Sequence, residues 1–116
     1  MANFSRFFSS FLRYIKSFFI KIDFGDLVQN HEAQILDVRT QVECESHGCI
    51  AESINIPLDN LRLEMSKLDK DKPVIICCAN GLRSGLARQI LMNNGFTRVY
   101  RGGSVESLKR KLKTSA

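Results

Sequence analysis

From Asp23 onward, short apolar runs alternate with stretches of helical periodicity, which is the pattern of a sheet of parallel strands covered by helices on both faces. Asp23 can cap a short helix over residues 25–30, and Gln34-Ile35-Leu36-Asp37-Val38 reads as a buried strand. Thr40 with Glu43 three residues later forms a capping box for a second short helix. Ser53 to Ile56 is a short strand closed by Pro57, and Leu58, Leu61, Leu63, Met65 and Leu68 fit an irregular helical segment. After a turn over residues 69–73, Val74-Ile75-Ile76-Cys77 is the most strand-like run of the chain, wholly apolar and therefore central. A helix from Ser84, with Leu86, Ala87, Ile90 and Leu91 on one face, ends at Gly95. Phe96 to Tyr100 reads as the last strand, Arg101-Gly102-Gly103 as a turn, and Ser104 as the cap of a closing basic helix through Lys113.

Residues 1–22 follow a different pattern. Phe4, Phe7, Phe8, Phe11, Ile15, Phe18, Phe19 and Ile22 recur at helical spacing, with Arg6, Arg13, Lys16 and Lys21 on the other side. Arg13 and Lys16 interrupt the apolar stretch that a secretory signal or a membrane span requires. The expectation is an amphipathic basic helix, set apart from the domain at 23–116. Residues 4–22 then serve as a peripheral membrane anchor, a presequence, or a surface for docking on the domain or self-association.

The chain has 116 residues, enough for one core. Its net charge of +5 divides into +4 over residues 1–22, −4 over 23–97 and +5 over 98–116, so the basicity is terminal and the body is acidic. No basic face interleaved with aromatics runs through the body, which argues against nucleic acid as a partner. Of the four cysteines, Cys77 and Cys78 are adjacent inside an apolar run, and positions 44 and 49 lack a C-x-x-C spacing. That usage predicts free thiols in a reducing, cytoplasmic setting rather than disulfides or a metal site, and no cofactor. His31 and His47 lie in no ligand spacing either.

The chemistry concentrates in Cys78-Ala79-Asn80-Gly81-Leu82-Arg83. A cysteine where a buried parallel strand gives way to a loop and then a helix lies at the carboxyl edge of the sheet, where open α/β folds place their ligands. The backbone N–H groups of Ala79, Asn80, Gly81 and Leu82 can curl round one anion, with the helix N-terminus behind them and Arg83 adding a permanent charge. Such donors favour the thiolate of Cys78, the reactive form. Cys77 reads as a core residue.

This loop resembles the active-site loop of the rhodanese family of single-domain sulfurtransferases. Further blocks agree in order: Leu36-Asp37-Val38-Arg39, then Gly48-Cys49-Ile50 through Asn55-Ile56-Pro57, then Gly95-Phe96 through Arg101-Gly102-Gly103. Together they cover residues 23 to about 110. Cys49 stands where the family usually has His, and no Trp follows Gly103. The resemblance implies a three-layer α/β fold with a mainly parallel sheet. It also implies sulfur transfer through a Cys78 persulfide, from a small anionic sulfur donor such as thiosulfate to cyanide or a thiol, including a protein thiol. Residues 79–83 would bind the donor, with the Arg83 side chain serving either the strand-to-helix turn or the anion, and Asp37 and Arg39 would form a structural ion pair near the pocket rather than act in catalysis. Two other readings remain: Cys77 to Arg83 also fits the Cys-x5-Arg loop of phosphatases and arsenate reductases on this fold, and the domain could serve as a docked persulfide relay. Whether Cys44 or Cys49 resolves the persulfide stays open. The absence of a paired-thiol spacing predicts that Cys44→Ser and Cys49→Ser leave turnover intact.

Overall fold

The computed structural model describes residues 22–114, so the amphipathic pattern at 4–22 lies almost wholly outside the described residues. Helix α1 (Phe24–His31) starts where the Asp23 carboxylate accepts from the Asp26 N–H. Strand β1 (Gln34–Asp37) leads to α2 (Gln41–His47), whose N-terminus carries the full Thr40–Glu43 capping box. Strand β2 (Ile54–Asn55) is followed by a 3₁₀ turn at Leu58–Asn60, the single helical turn α3 (Leu61–Glu64) and a second 3₁₀ turn at Met65–Lys67. Then come β3 (Val74–Cys78), α4 (Leu82–Asn93), β4 (Val99–Ser104) and α5 (Val105–Thr114).

The four strands are all parallel, in the order β2-β1-β3-β4. Every residue of β3 is buried, as a wholly apolar run predicts. Its alternation divides the core. Val74, Ile76 and Cys78 join Leu36, Val38, Ala87 and Leu91 on the α4 face, whereas Ile75 and Cys77 join Phe24, Val105 and Leu108 on the α1 and α5 face. These two apolar layers make the α/β architecture three-layered. Leu86, expected on the inner face of α4, is instead mostly exposed, because Ala87 and Leu91 fill the contact with the sheet.

The last strand differs from the sequence expectation. Arg101-Gly102-Gly103 is not a turn after the strand but part of it, and β4 runs on to Ser104. Ile76 faces Arg101 and Cys77 faces Gly103, so Gly102 is the extra residue of a bulge. A side chain there has no room: a Cβ would lie 2.9 Å from Ile75 Cγ2, 3.1 Å from the Ile76 carbonyl oxygen and 3.1 Å from Leu108 Cδ2. Glycine is thus demanded by close packing of β4 on β3 and α5, not by a turn. Gly102→Ala is expected to lower stability by about 1–3 kcal/mol, since a backbone carbonyl cannot give way as a side chain can. Urea unfolding checks this, and an unchanged midpoint would contradict it.

Candidate active site

In a parallel sheet the carboxyl ends of the strands share one edge, and here the segments after β1, β3 and β4 meet there. Arg39, Glu43 and His47 from the β1 side, Cys78 and Ala79 from the end of β3, and Ser104, Val105 and Glu106 from the β4 side enclose a cleft of about 350 Å³. Cys78 ends β3 on the inner side of this cleft and is itself fully buried. Its Sγ accepts a hydrogen bond from the Gly81 N–H at 2.8 Å, which fixes the sulfur against the loop that follows.

The loop after Cys78 is held in its turn from several directions. Gly81 takes φ +88°, a left-handed conformation that side-chain-bearing residues seldom adopt, and it opens α4 without a side-chain cap. Its carbonyl accepts from Ser84 Oγ at 2.7 Å and from Arg101 Nη2 at 3.0 Å. Asn80 Oδ1 takes the Leu82 N–H at 3.2 Å, so that amide serves the loop rather than an incoming anion. α4 begins at Leu82, two residues before the expected Ser84.

Arg83 does something the sequence reading missed. Rather than offering a free charge to the cradle, its guanidinium grips both carboxylate oxygens of Glu43 at 2.6 and 2.7 Å, tying α4 to α2. The hydrogen bonds from Arg83, with the Thr40 N–H next in weight, hold the Glu43 carboxyl well below its usual range, at about 2, and the same pairing raises Arg83. No local signal could reveal this contact across 40 residues, because Glu43 was already accounted for as the capping-box acid, a role it also keeps. A depressed carboxyl stabilises the fold fully above its unfolded value of about 4.5 and loses that contribution as pH falls toward 2. Wild type and Glu43→Gln should therefore differ in Tm at pH 6 and converge as pH is lowered from 5 toward 2. A difference that stays constant across that range would contradict the assignment.

Asp37 and Arg39 form the structural pair expected of them. Arg39 Nη2 lies 2.7 Å from Asp37 Oδ2, Nε adds bonds to both oxygens, and the two side chains are almost completely buried. The Arg39 N–H also donates to Asp37, and Nη2 reaches the Gly48 carbonyl at 2.9 Å. This pair fixes the chain leaving β1 and carries Arg39 to the cleft wall.

Cys77 points the other way. It packs among Phe24, Ile35, Ile75 and Leu108, and burial, reinforced by the Asp37 carboxylate, pushes its thiol up to about 12. A thiol so buried stays protonated and inert.

The other two cysteines overturn an expectation. Cys44 and Cys49, read as free thiols, are joined as a disulfide with Cα atoms 5.1 Å apart, within the range such a bridge spans. The spacing hid this, because only the reversal of the chain after α2, at Gly48, brings Cys49 back onto the buried Cys44. Among the described residues the free cysteines are Cys77 and Cys78. No helix among the described residues is long and apolar enough to cross a membrane.

An all-parallel sheet with a cysteine at the carboxyl end of an inner strand, followed by a tight loop and a helix N-terminus, defines an α/β domain with a candidate nucleophile at its ligand-binding edge. The chain belongs to the Rhodanese-like domain family, whose sequence profile matches residues 23–109. It is 33% identical over 81 residues to a sulfurtransferase of Allochromatium vinosum, a match spanning 68% of this chain and 75% of that protein. It is 44% identical over 69 residues to the uncharacterized protein YqhL of Bacillus subtilis, covering 60% of this chain and about half (54%) of that protein's length. The crystal structure of a rhodanese-related protein from Thermoplasma volcanium superimposes with a TM-score of 0.64 at 36% identity, covering 78% of this chain and 91% of that one.

Proposed function

We propose that the domain is a sulfurtransferase that carries sulfane sulfur on Cys78. The observation that carries this reading is the 2.8 Å hydrogen bond from the Gly81 N–H to the Cys78 Sγ, at the wall of a cleft where three strand ends meet. The Cys78 thiolate attacks the outer sulfur of a donor such as thiosulfate. The donor's S–S bond breaks, sulfite leaves with the electron pair, and the sulfur stays as a persulfide. A thiol or cyanide then attacks that outer sulfur, and the Cys78 thiolate departs as the leaving group. The Gly81 N–H and the N-terminus of α4 lie beside the sulfur on which negative charge develops. Because Glu43 neutralises Arg83, the anion's recognition falls mainly to backbone dipoles.

The alternative register, with Cys77 as a phosphatase nucleophile, would need a thiolate at a site whose burial holds the proton on. Incubating the protein with thiosulfate and cyanide while following thiocyanate, and separately with an aryl phosphate, tests the choice. Thiocyanate formation without phosphate release is the expected result; phosphate release alone would overturn it.

A further inference from the structure

The sequence of sulfur transfer uses one cysteine, yet the structure places a second sulfur centre beside the segment that carries His47 to the wall of the same cleft. Cys44 and Cys49 bridge across a separation of five residues. The segment they close contains His47, which lines the Cys78 cleft, and Gly48, whose carbonyl receives the buried Arg39 guanidinium. Immediately before it stands Glu43, the acid that grips Arg83 of the active loop. The Cys44 and Cys49 sulfurs and a carboxylate oxygen of Asp37 lie within 4.8 Å of one another, so the bridge also adjoins the Asp37–Arg39 pair. The two cysteines differ in access: Cys44 is the buried residue of α2, while Cys49 is exposed.

We propose that Cys44 and Cys49 are a redox-active pair that takes electrons from a thiol reductant and sets access to Cys78. A reductant thiolate attacks the exposed Cys49 Sγ, the Cys44–Cys49 bond breaks, and Cys44 leaves as a thiolate that takes up a proton. A second reductant thiol then displaces the first from Cys49. The products are two protein thiols and one reductant disulfide, so two electrons and two protons pass to the protein. As a disulfide, the pair clips the end of α2 to the chain after Gly48 and holds His47 against the cleft. As a dithiol, that segment keeps the Arg39–Gly48 hydrogen bond, the Glu43–Arg83 pair and the packing of Cys44 and Ile50 but loses its covalent closure, and it opens more readily. Cys78 is fully buried, and His47 of this segment lines the cleft beside it, so loosening the segment is expected to widen the approach to the sulfur. This rests on sulfur transfer at Cys78 only for its consequence, since the redox chemistry and the access can be read without turnover.

The test uses the full chain, equilibrated in oxidised or reduced glutathione buffer and freed of it. Peptide mass mapping reads the Cys44–Cys49 bridge, and iodoacetamide reads the alkylation rate at Cys78. The bridge is expected to form and open reversibly, with Cys78 alkylated at least about fivefold faster in the reduced form. Cys49→Ser, a change at an exposed position, is expected to show the faster rate in both buffers. Failure of the bridge to form, or equal Cys78 rates in both states of the wild type, would overturn the proposal. Redox-dependent alkylation in a protein that transfers no sulfur would uphold it while removing the sulfurtransferase reading.

Discussion

Cys78→Ser is expected to abolish sulfur transfer from thiosulfate to cyanide, by more than about a thousandfold, with the fold unchanged. The hydroxyl is nearly the size of the thiol and can still accept from the Gly81 N–H, so the loop keeps its shape. What it lacks is a nucleophile able to hold sulfur as a persulfide. Cys77→Ala, by contrast, is expected to keep activity within about threefold, because Cys77 packs in the opposite apolar layer from Cys78. Steady-state thiocyanate formation by both variants checks the pair. Loss of activity in Cys77→Ala with retention in Cys78→Ser would move the nucleophile by one residue and with it the whole reading of the loop.

The second large effect concerns stability. Arg39→Met is expected to cost about 3–5 kcal/mol, because it leaves the Asp37 carboxylate buried without the cation that balances it. The double variant Asp37→Ala with Arg39→Met should lose much less than the sum of the two single losses, since removing both charges leaves neither stranded. Urea unfolding of the four proteins gives the coupling. Additive losses would mean that the pair does not act as a unit, despite its three side-chain hydrogen bonds.

The legible parts of this fold were those that a single segment dictates. The apolar run at Val74, the Asp23 cap and the Thr40–Glu43 box each fix their own element, and the structure has all three. The Asp37–Arg39 pair was also anticipated, from the resemblance of the Leu36-Asp37-Val38-Arg39 block, and the structure joins the two side chains. The features that were not legible depend on distant partners. Gly102 and Gly103 look like a turn by composition, yet it is the pressure of Ile75 and Leu108 that demands glycine at 102 inside β4. Arg83 looks like a free anion-binding charge until α2 brings Glu43 to it. Cys44 and Cys49 look unpaired until the chain reverses at Gly48. His47, Ser104 and Glu106 join the cleft only because a parallel sheet gathers three strand ends along one edge.

The most direct measurement is the intact mass of the protein after thiosulfate treatment and desalting, made on wild type, Cys77→Ala and Cys78→Ser. Wild type and Cys77→Ala should each gain the mass of one sulfur atom, released again by cyanide, and Cys78→Ser should gain none. A sulfur adduct on Cys78→Ser, or none on the wild type, would contradict the assignment of Cys78 as the sulfur carrier.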